Sequence, residues 1–173
     1  MIKLISFDLD GTLIDKTKYD DVFWYEEVPR LYAQRHGVTF DDALTIVLGE
    51  YSAVGSHNPD WYRPSFWFKR FELSLDPHQL LRDMAHRINV FPDTKPALEK
   101  LSRTFPLVVL TQSTREFVEI KMKTESIGRY FSFVFSVVDE FNLVKKQPKV
   151  YRYLLRIYKL KPHELVHIGD DWE

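Results

Sequence analysis

The 173-residue chain contains no cysteine. That excludes disulfides, thiolate zinc sites and cysteine nucleophiles. It also lacks an excess of one charge: 24 Lys+Arg stand against 25 Asp+Glu, which leaves no basic footprint for nucleic acid and no polybasic membrane patch. No stretch approaches the ~18 consecutive apolar residues of a membrane span. The opening run up to Phe7 is too short for a secretory leader and meets Asp8 at once. These absences predict a soluble, cytoplasmic protein. Internal repeats and low-complexity segments are missing as well. What is present is apolar material: 13 Phe, 9 Tyr and 4 Trp within a 45% hydrophobic composition. That is enough to offset chain entropy and build the core of one compact domain, or of one domain carrying an insertion.

Residues 2–7 read as a short apolar strand that stops at acidic residues and Gly11. From Lys16 to about Ile88 the pattern is helical and aromatic. Thr39 and Asp42 have the spacing of a capping box ahead of Ala43, Ile46 and Val47. Asp76-Pro77 opens a helix whose apolar face carries Leu80, Leu81, Met84, Ala85 and Ile88. After Phe91-Pro92-Asp93, helices alternate with short apolar strands. Strands are expected at Leu107–Leu110, Phe133–Val138 and Leu165–Ile168. The intervening helices present Ala97, Leu98 and Leu101; then Phe117, Ile120, Thr124 and Ile127, closed by Gly128; then Val150, Tyr151, Leu154, Leu155 and Tyr158 behind Pro148. Such alternation argues an α/β, Rossmann-like parallel sheet covered by helices on both faces. Its ligands bind beyond the C-terminal strand ends. The expected organisation is a core from residues 1–15 and 91–173, with 16–90 inserted as an all-helical cap.

The polar residues collect at those strand ends: Asp8 and Asp10, Thr111, and Asp170 with Asp171. Asp8 and Asp10 stand two apart in an extended segment, so both can face one site. Two such carboxylates either bind a hard cation or push their pKa values apart. Asp10-Gly11 taken alone reads equally as a solvated turn.

Order along the chain decides between these readings. Asp8-Leu9-Asp10-Gly11-Thr12 after an apolar strand, Thr111 closing another, lysines before a helix, and Gly169-Asp170 after a last strand resemble the haloacid dehalogenase-like hydrolase superfamily. Laying Val144–Tyr151 on the family's lysine motif selects Lys145, with Lys146 and Lys149 as neighbours able to take the same part. The resemblance implies that Asp8 is the nucleophile forming an aspartyl-phosphate and that Asp10 is the general acid and base. It implies Mg²⁺ between Asp8 and Asp170, with the Asp10 backbone carbonyl and Asp171 as further contacts. Thr111 would bind a phosphoryl oxygen, with Gln112 and Ser113 offering backbone N–H groups, and Lys145 would neutralise charge.

An acid at position 10 favours phosphate esters, because halide loss needs no proton. The implied activity is hydrolysis of a small phosphate monoester, with a small phosphorylated metabolite as partner and the protein as monomer or homodimer. Other readings are a phosphomutase, a dehalogenase-like relative, or a weakly catalytic homologue that binds a phosphometabolite or a protein. Receiver domains use similar groups but have no helical insert and place the phosphorylated Asp on a later strand. Within the aromatic stretch Trp61–Phe71, Arg63 is the candidate anion grip, while most of the rings are expected to fill the cap core. His167 sits in an apolar strand as a buried, hydrogen-bonded residue; His57, His78 and His86 show no metal spacing. Family members usually continue past the equivalent of Glu173 with another acid and strand, which predicts an exposed apolar edge, weaker Mg²⁺ binding or pairing with another chain.

Overall fold

A computed structural model describes residues 1–124 and 126–170. Six strands are present among them: β1 (Leu4–Phe7), β2 (Ile14–Asp15), β3 (Asn89–Val90), β4 (Leu107–Thr111), β5 (Phe133–Ser136) and β6 (Leu165–Ile168). Four of these form a parallel sheet in the order β5-β4-β1-β6, with Phe7 opposite both Val109 and Ile168. Because successive side chains alternate between faces, β1 and β4 feed two separate apolar layers. Ile5, Phe7, Leu107 and Val109 join one core. Leu4, Val108 and Leu110 join the other, under Val150 and Leu154. A strand buried on both faces has no polar alternation, which is why these runs read as continuous apolar segments.

The helical stretch between β2 and β3 contains α1 (Asp20–Val22), a π-helical turn Phe23–Glu27, α2 (Val28–His36), α3 (Phe40–Val54), α4 (Pro64–Arg70) and α5 (Pro77–Asp83). Its start and end are tied by antiparallel pairing of β2 with β3, a two-residue ribbon that the sequence pattern does not announce. Thr39 caps α3 by accepting from Asp42 N, and Asp76 caps α5 by accepting from His78 N. Apolar contact with the sheet domain runs through rings: Phe23 lies 5.1 Å from Phe117, edge to face. Trp67, Phe68 and Phe71 are buried in the same core, as expected for most of the aromatic stretch.

The remaining helices are α6 (Thr94–Ser102), α7 (Arg115–Thr124), α8 (Val137–Phe141) and α9 (Pro148–Ile157). Three boundaries differ from expectation. The fifth strand ends at Ser136, because that side chain accepts from Asp139 N and starts α8 at Val137. The periodic run from Pro77 ends as a helix at Asp83 and continues as a 3₁₀ turn, Met84–Arg87. Gly128 lies inside a 3₁₀ turn, Ile127–Tyr130, rather than closing α7. β6 is an edge strand of the sheet, and its Val166 and Ile168 are exposed. No helix among the described residues is long and apolar enough to cross a membrane.

Candidate active site

The site lies at the C-terminal ends of β1, β4 and β6. Asp8 N donates to Ile168 O at 2.8 Å, extending the β1–β6 ladder by one residue before the chain turns. The turn is compact: Leu13 N and Ile14 N both donate to Leu9 O, and Gly11 N donates to Ile14 O. Gly11 has φ +82°, in the left-handed region that favours glycine. It also lies directly against the Asp170 carboxylate; a Cβ there would sit 2.1 Å from Asp170 Oδ2. Gly169 in turn lies beside His167 and the Asp8 side chain; a Cβ there would sit 3.3 Å from His167 Nε2 and at ordinary contact, 3.5 Å, from Asp8 Cβ. The close approach at Gly11 thus brings Asp170 beside the loop that carries Asp8 and Asp10.

Asp8 is buried, and each of its oxygens has a partner. Oδ1 accepts from Leu9 N at 2.7 Å, and Oδ2 accepts from the Lys146 ammonium. Burial pushes the Asp8 carboxyl above the usual carboxylate range, and Lys146 is the strongest influence opposing that rise. Of the three lysines it is Lys146 that reaches Asp8, whereas Lys145, the residue expected there, is exposed and Lys149 stands exposed in the first turn of α9. Gln112 explains how the lysine loop is seated, because its Nε2 donates to Val144 O at 2.8 Å. Gln112 is thus placed to hold that loop.

Thr111 ends β4, is buried, and accepts from Ser113 N at 3.1 Å through Oγ1. The Ser113 N–H is therefore engaged within the protein. One residue on, the Thr114 hydroxyl is buried without a hydrogen-bond partner among the described residues.

One residue at the site escaped the sequence reading. Lys121, on α7, is 0% exposed and donates to Asp10 Oδ1 at 2.5 Å, Asp20 Oδ2 at 2.7 Å and Ser113 Oγ at 3.3 Å. Burial alone would lower its pKa, but Asp10 and Asp20 outweigh that and hold it above its ordinary value. Burial raises the Asp20 carboxyl, against the pull of Lys121. The available signal was helical spacing: Lys121 falls four residues after Phe117, on the apolar stripe where a cation needs a partner.

Arg63 is placed elsewhere. Its guanidinium binds Asp60 at 2.7 Å and approaches Asp139 Oδ1 and Val138 O, each at 3.4 Å, so it fastens the helical stretch to the start of α8. Asp171 lies outside the described residues. His167 is half-buried, with Nδ1 2.9 Å from Ser6 Oγ, and burial together with the Lys146 charge lowers its pKa to about 4.

Among the described residues, no three His, Cys, Asp or Glu side chains gather as a complete metal cage. The carboxylates available beyond the adjacent strands β1 and β6 are oxygen donors, Asp8 and Asp170, the latter accepting from Thr12 Oγ1 at 3.4 Å. Mg²⁺ is held in this manner, by one or two carboxylates with waters and substrate phosphate completing the shell. The donor chemistry fits that ion.

The model for haloacid dehalogenase-like hydrolases matches residues 2–173. The chain belongs to that family. Among curated relatives of this hydrolase, the GMP/IMP nucleotidase YrfG of Escherichia coli (strain K12) is 25% identical over 170 residues, covering 98% of this chain and 74% of its own. The glyceraldehyde 3-phosphate phosphatase of Pyrococcus furiosus is 26% identical, covering 98% of this chain and 72% of its own. A solved HAD phosphatase from Thermococcus onnurineus superposes with a TM-score of 0.83 at 30% identity, over 98% of this chain and 78% of that one. In this family member the site described above occupies the C-terminal edge of the sheet, the customary ligand position of open α/β folds.

Proposed function

We propose that this hydrolase cleaves a small phosphate monoester through an aspartyl-phosphate on Asp8. The observation that carries the reading is the pairing of two acids two residues apart with two different lysines. Asp8 is buried against Lys146, and Asp10 is held by Lys121. One carboxylate is thereby presented as a nucleophile beside a fixed positive charge, and the other stands as a separate proton carrier. The phosphatase relatives support a phosphate ester as substrate.

In this account an Asp8 oxygen attacks phosphorus as the bond to the leaving oxygen breaks. Asp10 gives its proton to that oxygen, so an alcohol departs rather than an alkoxide. Asp10 then takes a proton from water as the water attacks phosphorus and the Asp8–phosphorus bond breaks, releasing inorganic phosphate. Lys146 holds Asp8 in place and balances the negative charge that builds as a carboxylate meets a phosphate dianion. Thr111 supplies a hydroxyl to a phosphoryl oxygen. Mg²⁺, when bound by Asp8 and Asp170, would further lower that charge repulsion. The helical stretch 16–90 acts as a cap that excludes water and selects the ester.

The test is phosphate release from p-nitrophenyl phosphate with and without Mg²⁺, alongside Asp8→Asn. The account expects turnover that disappears with EDTA and with the substitution. Turnover that survives Asp8→Asn would overturn it.

A further inference from the structure

Lys121 transfers no proton and touches no reacting atom in the chemistry above, yet it is among the largest fully buried side chains. Its ammonium has three N–H donors, and three oxygens from three different elements surround it: Asp10 in the loop after β1, Asp20 in α1, and Ser113 in the turn after β4. The rings of Phe117 and Tyr19 lie 5.1 Å and 5.8 Å from Nζ and close the remaining sides. An ammonium so enclosed cannot be rehydrated in place, so each acceptor is held where it stands. For Asp20 and Ser113 this is ordinary structural pairing. For Asp10 it fixes the carboxylate that must point at the leaving oxygen.

We propose that Lys121 is a positioning residue for Asp10, and that Asp20 anchors Lys121, so that the aim of the general acid depends on the seating of α1, near the start of the insertion. This rests on the phosphatase reading. Rotation of the Asp10 side chain away from its observed position would leave the buried ammonium with one carboxylate, Asp20, and the Ser113 hydroxyl. Ser113 adds a second link, since its N–H donates to Thr111 Oγ1. The same ammonium therefore ties the acid to the turn that carries the phosphate-binding threonine.

Positioning of an acid has a signature that general damage lacks. Departure of p-nitrophenolate, a weak base, needs little protonation, whereas departure of phenolate needs more. In a reaction with a phosphoenzyme, kcat/KM reports the steps up to leaving-group departure. The experiment measures kcat/KM for p-nitrophenyl phosphate and phenyl phosphate in wild type, Lys121→Met, Asp20→Asn and Asp8→Asn, with circular dichroism as the check on folding. Lys121→Met is expected to lose at least about 10-fold more on phenyl phosphate than on p-nitrophenyl phosphate. Asp20→Asn, which leaves the Lys121–Asp10 pair, is expected to show the same bias at about 3-fold. If Lys121→Met does not fold, Asp20→Asn decides. Equal losses on both esters, or no loss, in folded variants would overturn the inference while leaving the Asp8 mechanism intact. Activity retained by Asp8→Asn, or wild type inert on both esters, would overturn the phosphatase reading and the inference with it.

Discussion

The Lys146 ammonium sits on Asp8 Oδ2 although the two residues are 138 positions apart in sequence, and it is Lys146 rather than the adjacent Lys145 that does so. The loop is held from below by Gln112 on Val144 O, and Gln147 N donating to Lys145 O turns the chain into α9. With that turn made, Lys146 projects toward Asp8.

Replacing Lys146 by Ala should therefore lower kcat about 10²–10³-fold, the usual cost of losing one preorganised charge at a reacting centre. Lys145→Ala should stay within about 3-fold of wild type, since an exposed charge is strongly screened. Steady-state phosphate release by the two variants checks this, and the reverse order would restore Lys145 to the motif.

Asp10→Asn should fold as wild type and lose about 10²–10⁴-fold in turnover, the range for a positioned acid and base. Because Asn cannot take a proton from the attacking water, whereas p-nitrophenolate leaves with little need of one, a phosphoenzyme should accumulate with p-nitrophenyl phosphate as substrate. Acid-quench of the variant with substrate, followed by counting of bound phosphate, measures that accumulation.

Gly11→Ala combines two penalties. A residue with a Cβ in the left-handed region costs about 1–2 kcal/mol, and that Cβ would overlap the Asp170 carboxylate at 2.1 Å. The expected outcome is a lower melting temperature together with a rise of at least about 10-fold in the Mg²⁺ concentration giving half-maximal rate. A variant that is only destabilised, with unchanged Mg²⁺ dependence, would remove Asp170 from the metal set.

His167 should contribute to acid sensitivity. Its native pKa is lowered to about 4, against about 6.5 in an unfolded chain. Between those values the unfolded state binds a proton that the native state refuses. Its contribution is thus complete above about pH 6.5 and is lost as the pH falls toward 4. Urea unfolding at pH 7 and pH 5 should show His167→Gln losing less stability than wild type over that interval, by on the order of 1–2 kcal/mol.

Much of this was readable in the chain. Apolar runs that end abruptly in Asp8 and Thr111 marked β1 and β4, because strands buried on both faces carry no polar alternation; the run ending at Gly169 marked β6 in the same way, although one face of that edge strand is exposed. The caps Thr39 and Asp76 declared themselves because a short polar side chain before a helix has a local partner, two or three residues on. Features set by distant contacts were not legible. The choice of Lys146 over Lys145 depends on a turn seated by Gln112, thirty-two residues away from Val144. The β2–β3 ribbon is two residues long, too short for any periodicity. Lys121 lay in plain view on an apolar helix stripe, but its acceptors Asp10 and Asp20 are 111 and 101 residues distant. Arg63 looked like a free cation among aromatics until Asp60 and Asp139 were seen to hold it.

The central claim is that Asp8 carries the phosphoryl group, and it can be read directly. Substrate, Mg²⁺ and the Asp10→Asn variant are mixed, quenched in acid within one turnover, digested and analysed by peptide mass spectrometry. The account predicts one added phosphoryl group on the peptide containing Asp8, absent when Asp8 is also changed to Asn. A phosphoryl group on another residue, or substrate consumed with the Asp8 peptide unmodified at every quench time, would contradict it.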